Sequence, residues 1–293
     1  MNILSLFDGI SCGRIALSRA NIPVTTYFAS EINTNAIKVS QHNWPDIVQL
    51  GSVTTVTKDR VGDVDLLIGG SPCQDLSCGG KRTNYLNGAR SSLFWEYVRI
   101  KNECNPTWFL LENVKTKKDV QDQISEAIGV DPICIDSALF SAQTRKRLYW
   151  TNIPVNMDIP DTGVFIRDVI DLNNKTLRRN GLTYLPSALA STMRLDLSRN
   201  QCNVGSRNPK FNRVSQSNQV HHRKMGALCK HGDNRDWIYT PETGVRELTI
   251  EECEIMQTLP VGYTSCLSNI NRRRELIGDG WTVDVIAYIL AHI

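Results

Sequence analysis

A cysteine preceded by a proline and flanked by small residues stands in the stretch GGSPCQDLS, residues 69–77, directly after the apolar run VDLLI. That run reads as a buried strand, so Cys73 falls at its carboxyl end on a proline-fixed loop, presented toward a ligand crevice and not packed beneath it. A thiol so placed is suited to nucleophilic attack. Its ordinary pKa of about 8.5 leaves only a small thiolate fraction at neutral pH, so it needs cationic neighbours or a proton acceptor. Two other stretches supply such groups. LLENV puts Glu112 at the end of another apolar run, and QTRKRLYW brings Arg145 and Arg147 after a strand expected at 133–136. Taken singly, each is commonly structural; a thiol, an acid and two guanidiniums together are the parts of a covalent catalyst.

A second constellation lies at the start of the chain. In LFDGISCGRIAL, Gly9 and Gly13 allow a tight turn whose backbone N–H groups face a ligand at a helix start. Glu31 follows 22 residues after Gly9, near the position where an acid takes ribose hydroxyls in dinucleotide-type folds. The pair points to an adenosine-containing cofactor.

The elements that must position these residues alternate. NILSLF, TTYFAS, VDLLIG and TWFLLE read as strands, and GRIALSRAN, NTNAIKVSQHNW, SSLFWEYVRIKNE and VQDQISEAIG as helices between or after them. Such alternation predicts an α/β fold with a parallel, doubly wound sheet that binds ligands at the carboxyl ends of its strands. Four of those ends carry polar or special residues.

Charge divides the chain. Residues 175–235 hold twelve Lys or Arg against Asp196 and Asp233, a net +10 in a chain of net +3, so the remainder carries −7. The same segment is rich in Asn, Ser and Gln and poor in periodic apolar residues. Cations for phosphates mixed with amides for base edges predict a nucleic-acid partner, with Arg207, Lys210, Arg213, Arg223 and Lys224 as candidate contacts. Cys202, His221, His222, Cys229 and His231 share the segment, but their spacings fit no zinc pattern and no metal is expected. A zinc deaminase is excluded more directly, since no His-x-Glu occurs and PCQDLSC lacks the PCxxC spacing.

With 293 residues and 41% hydrophobic content, the chain can build a sizeable core, and no apolar run reaches the roughly 18 residues of a membrane span. The opening MNILSLFDG has no basic n-region, so neither a signal nor a transit peptide is expected, and the protein is assigned to the cytoplasm. Nine scattered cysteines in that compartment predict reduced thiols, most of them small core residues.

The ordered set of motifs resembles the cytosine-5 DNA methyltransferase family, most closely the de novo DNA methyltransferase catalytic domains and their prokaryotic or phage relatives. It comprises FDGISCG, SE at 30–31, SPCQDLS, ENV, QTRKR, RELTIEECEIMQTLP and GDGWTVDVIAYIL. There are departures: Ser11 and Cys12 occupy positions that are glycine in most bacterial members, Ser52 stands where an acid often meets the cofactor's adenine, and GDGW replaces a Gly-Asn pair.

The resemblance implies a Rossmann-like fold dependent on S-adenosylmethionine, with residues 1–154 and 264–293 as the catalytic domain and a smaller, irregular target-recognition domain at 155–263. It implies that Cys73 adds to carbon 6 of a cytosine flipped out of duplex DNA, that Glu112 holds the ring N3 and amine, that Arg145 binds the O2 oxygen and that Arg147 supports the loop. The methyl group passes to carbon 5 without a metal. Phe7, Asp8, Gly9, Ile10, Ser11, Cys12, Glu31, Ile32, Val53, Pro72, Gly280 and Trp281 are implied to line the cofactor pocket, and the loop containing Arg82 to close over DNA. Homodimerisation, a cognate restriction endonuclease and a prokaryotic or phage origin are further expectations by analogy. Two alternatives stay open, a tRNA cytosine-5 methyltransferase and a catalytically silent DNA-binding protein on the same fold.

Overall fold

Short runs rich in apolar residues form the strands of one sheet. β1 (Asn2–Leu6), β2 (Thr26–Ser30), β3 (Val48–Gln49), β4 (Leu66–Gly69), β5 (Trp108–Val114), β6 (Ile133–Asp136) and β7 (Lys146–Thr151) lie in the order β3-β2-β1-β4-β5-β7-β6. The computed structural model describes residues 1–72, 93–170, 203–206, 224–225, 227–228, 236–240 and 244–293, with the backbone alone at 203–206, 236–240 and 244–247. The chain divides into two units: Met1–Asp136 with Lys146–Ile159 and Gly280–Ile293, and Ser137–Arg145 with Pro160–Asp279.

In the first unit β1 to β5 pair in parallel, and both faces of the sheet are covered, which is why β4 and most of β5 are buried without alternation. The crossovers carry α1 (Cys12–Arg19), α2 (Thr34–Asn43), α3 (Lys58–Val61), α4 (Leu93–Cys104) and α5 (Lys118–Ile128). Asn33 caps α2 by accepting from the N–H groups of Asn35 and Ala36. In α5, Val120, Ile124 and Ile128 recur every fourth position and are buried, and the helix stops at Gly129, whose φ of 89° an L side chain rarely adopts. These apolar faces join Leu4, Leu67, Phe94, Tyr97, Leu111 and Trp150 in one core.

One expectation is corrected here: the sheet is not wholly parallel. β7 runs antiparallel to both β5 and β6. Only residues 137–145 link β6 to β7, too few for the dozen or so residues of a parallel crossover, so the chain returns beside its predecessor in the opposite sense. Strand order reverses between β1 and β4, and the crevice beyond their carboxyl ends is the switch point where such sheets take ligands.

In the second unit, α6 (Ile166–Val169), the antiparallel strands β8 (Asn203–Ser206), β9 (Asp236–Thr240) and β10 (Gly244–Glu247), α7 (Ile250–Met256) and α8 (Ile270–Asp279) follow in sequence. Thr249 and Glu252 form a reciprocal capping box at the start of α7. The fully buried Glu254 accepts from Gly262 N at 2.6 Å, Thr264 N at 2.9 Å and Thr264 Oγ1 at 2.5 Å, with Arg273 at 3.4 Å. The chain then returns to the first unit as α9 (Val283–Leu290), which packs against α1 and is tied to it by Arg19–Asp284 at 2.6 Å.

Among the described residues no helix is long and apolar enough to cross a membrane. None of the described cysteines, Cys12, Cys104, Cys134, Cys253 and Cys266, is in a disulfide.

Candidate active site

The loop leaving β1 turns through left-handed backbone at Phe7 (φ 58°), Gly9 (φ 59°) and Ser11 (φ 61°). For Phe7 and Ser11 that conformation is costly and must be held from outside. Beneath the loop, the Asp8 carboxylate accepts from Ser11 Oγ at 2.5 Å and Tyr27 OH at 2.8 Å, and Ser11 Oγ lies 2.6 Å from Ser40 Oγ. Burial pushes the Asp8 carboxyl up to about 6, against the hydrogen bonds from Ser11, Ser5 and Tyr27 that lower it, and the charge of Glu31 raises it further. The bulk of a side chain has no place at Gly13, where a Cβ would lie 2.4 Å from Ile68 Cδ1 and 3.0 Å from Tyr27 OH. Ile10 and Cys12 are packed in the core.

Glu31, just beyond the end of β2, reaches across to this loop. Its Oε2 accepts from Gly9 N and its Oε1 from Ile32 N and Asn33 N, all at 2.8 Å. A carboxylate offers about four acceptor positions, so Glu31 is oriented with capacity left for a ligand hydroxyl. Beside it the Ile32 side chain is 74% exposed, an apolar surface free to take a flat ring. Val53 is buried at the head of a 3-10 turn, Val53–Thr55, and Ser52 caps that turn through Thr54 N, which gives this departure from the family pattern a local structural role.

The acid of ENV is the best-defined part of the site. Glu112 is 9% exposed on β5. Arg147 Nε stands 3.0 Å from its Oε1, and Trp281 Nε1 donates to its Oε2 at 3.0 Å. The next residue, Asn113, donates from Nδ2 to Ser71 Oγ at 3.1 Å, a buried bond that ties the loop after β4 to β5. Ser71 leads into Pro72, which is partly buried, and so into Cys73. Sequence reasoning missed the Ser71–Asn113 bond and the role of Gly70, where a Cβ would lie 3.0 Å from both Glu112 Oε2 and Trp281 Nε1. The adjacency of Asn113 to the acid and of Ser71 to the proline was the available signal.

The two arginines of QTRKR part company. Arg147 belongs with Glu112 in the first unit. Arg145 is 6% exposed in the second, where its guanidinium donates to Leu228 O at 3.0 Å and Gly278 O at 3.2 Å. Lys224, a candidate DNA contact, is partly buried in the second unit: its ammonium donates to Ala138 O and to Ser141 O, lies 3.6 Å from Asp161 Oδ1 and sits over the Phe165 ring. Cys73, Arg82, Arg207, Lys210, Arg213 and Arg223 lie outside the described residues, as do Cys202, His221, His222, Cys229 and His231. Among the described residues no cluster of His, Cys, Asp and Glu could hold a metal.

Residues 1–127 match the model of the family described as C-5 cytosine-specific DNA methylase. The chain is 32% identical over 162 residues to the orphan methyltransferase M.SPRI of Bacillus phage SPR, a match covering 51% of this chain and 37% of that protein. It is 32% identical over 173 residues to the type II methyltransferase M.NgoBV of Neisseria gonorrhoeae, covering 52% and 41%. The matched stretch thus spans well under half the length of these relatives. Two solved structures share the fold over nearly their whole length. The Entamoeba histolytica methyltransferase EhMeth has a TM-score of 0.67 at 17% identity, covering 100% of this chain and 97% of that one. The S. pombe Dnmt2 methyltransferase has a TM-score of 0.61 at 18% identity, covering 99% and 97%.

Proposed function

We propose that this chain, whose first 127 residues match the C-5 cytosine-specific DNA methylase family, transfers a methyl group from S-adenosylmethionine to carbon 5 of cytosine in duplex DNA. The observation that carries the reading is the Glu112 carboxylate, fixed by Arg147 and Trp281 one residue from the Asn113–Ser71 bond that anchors the approach to Cys73.

The residues of the first unit fit the cofactor. Glu31 keeps acceptor capacity for ribose hydroxyls and Ile32 offers an apolar surface for adenine. The Phe7–Cys12 loop, Val53, Pro72, Gly280 and Trp281 complete the proposed pocket. When bound, S-adenosylmethionine supplies an activated sulfonium methyl. The chain's own residues do the rest. The Cys73 thiolate adds to carbon 6 of the flipped base, which makes carbon 5 electron-rich; once carbon 5 carries the methyl group its proton leaves, the bond from Cys73 to carbon 6 breaks and the ring double bond is restored. Glu112 accepts from the exocyclic amine and manages the proton at N3. Arg147 keeps Glu112 oriented and supplies positive charge beside the ring as negative charge develops there. Arg145, held on two backbone carbonyls, serves the fold of the second unit.

The basic segment at 175–235 supports DNA as the substrate, with Arg82, Arg207, Lys210, Arg213 and Arg223 as contacts and 155–263 as the target-recognition domain. The names of the curated relatives, an orphan and a type II methyltransferase, support a place in DNA modification, with or without a partner endonuclease.

The test is transfer of tritium from labelled S-adenosylmethionine to duplex DNA and, in parallel, to tRNA. Transfer to duplex DNA, its loss in Cys73→Ala, and a covalent adduct with 5-fluorocytosine DNA are expected. Transfer to tRNA alone would replace the substrate, and activity retained by Cys73→Ala would end the mechanism.

A further inference from the structure

We infer that Trp281 is a positioning residue for Glu112: besides lining the cofactor pocket, its indole N–H fixes the acid in the orientation in which it meets the base. The inference rests on the methyltransferase reading above.

The two oxygens of Glu112 are held by donors of different kinds. Arg147 Nε brings a charge to Oε1, whereas Trp281 Nε1 brings a neutral N–H to Oε2, each at 3.0 Å. An indole nitrogen donates and never accepts, so its bond is strongest to an ionised carboxylate. Arg147 alone would leave the carboxylate able to swing about that one contact. A second donor on the opposite oxygen fixes the plane of the group, and the lone pairs that remain point away from both.

The indole is itself held on two sides by missing side chains. A Cβ on Gly70 would lie 3.0 Å from both Nε1 and Oε2, and 3.5 Å from Cζ2, so the hydrogen bond occupies space that any other residue would fill. At the far edge of the ring, a Cβ on Gly13 would lie 3.6 Å from Cζ3. One glycine belongs to the loop that leads toward Cys73, the other to the start of α1 behind the cofactor loop. The backbone that carries Trp281 is fixed by α9, which begins two residues later and packs on α1. Trp281 thus joins the proposed cofactor loop, the nucleophile loop and the acid in one contact set.

Trp281→Phe removes the N–H and keeps an aromatic ring. In protein carrying 15N-labelled tryptophan, the indole signal lost in this variant identifies Trp281, and Glu112→Gln should move that signal and leave the other indoles in place. In the kinetic arm, Trp281→Phe should lower kcat about 10- to 100-fold, the value of one hydrogen bond to a charged group. The dissociation constant for S-adenosylmethionine, measured by calorimetry, should change by less than about threefold. The double variant with Glu112→Gln should be no slower than Glu112→Gln alone, because both act through one group. Gly70→Ala, which wedges a methyl group into the bond and leaves the indole in the chain, should reproduce the kcat loss and serves if Trp281→Phe does not fold. An unmoved indole signal, an unchanged kcat, or a kcat loss matched by an equal loss of cofactor affinity would each overturn the inference. If the wild-type protein methylates neither DNA nor RNA, the methyltransferase reading fails, and the indole signal still decides whether Trp281 holds Glu112.

Discussion

Arg147 Nε stands 3.0 Å from Glu112 Oε1 although the residue directly opposite Glu112 is Tyr149. Arg147 is the diagonal neighbour, two positions along β7 and therefore on the same face of the sheet, within reach of a long side chain. A parallel β7 would have changed which residue stood there, so the antiparallel return of the chain is what brings a guanidinium to the acid. Arg145, although two residues further back, precedes the strand and belongs to the other unit.

The two arginines should therefore fail differently when replaced. Arg147→Ala is expected to lower methyl transfer by 100-fold or more, roughly the effect of losing one donor at a site of developing charge, and also to lower the melting temperature, because the buried Glu112 carboxylate loses its charged partner. Arg145→Ala strips donors from two carbonyls in a buried setting and should cost about 2–4 kcal/mol of stability. Thermal denaturation alongside a methylation assay reads both effects, and methylation retained by Arg147→Ala would contradict the division of roles.

Asp8 makes stability depend on pH. Its folded-state value of about 6 lies above the ordinary 3.8, so the folded protein holds this proton more tightly than the unfolded chain does. The resulting contribution is complete below about pH 4 and is lost as pH rises through about 6; its full size is on the order of 3 kcal/mol. Asp8→Asn should remove that slope. Urea unfolding of both proteins from pH 4.5 to 7.5 checks it, with the wild type expected to weaken relative to the variant as pH rises. Parallel curves would show that the carboxyl does not titrate in this window.

The Ser71–Asn113 bond should matter more for rate than for folding. Ser71→Ala removes one buried partner and leaves Asn113 Nδ2 without it, at an expected cost of about 1–2 kcal/mol. The approach to Cys73 also loses its anchor to β5, and misplacement of a reacting group is expected to cost about 10- to 100-fold in kcat. Cofactor affinity should stay within about threefold. Stopped-flow adduct formation with 5-fluorocytosine DNA reads the attack step directly, and an unchanged adduct rate would assign the bond to folding alone.

Much of this was legible in the sequence because apolar runs broken by a polar residue mark strand ends, and Leu6, Ser30 and Gly69 end their strands where Asp8, Glu31 and Cys73 required. The helical spacing of Val120, Ile124 and Ile128 was equally plain. What escaped was register. Nothing in QTRKRLYW gives the pairing of Lys146–Thr151 with β5, so the sequence does not tell which arginine reaches Glu112. No local pattern could link Trp281 to an acid 169 positions earlier. Nor does propensity reveal that Gly70 is small because a hydrogen bond fills its side-chain space.

The packing of α9 on α1 sets a timetable for biosynthesis. Arg19 and Asp284, paired across those helices, are 265 positions apart, so at ribosomal speed the first helix waits on the order of tens of seconds for the last. Throughout that interval α1 lacks the helix that packs on it in the finished protein. Synthesis of α9, and not of the opening strands, is the step that lets this domain close.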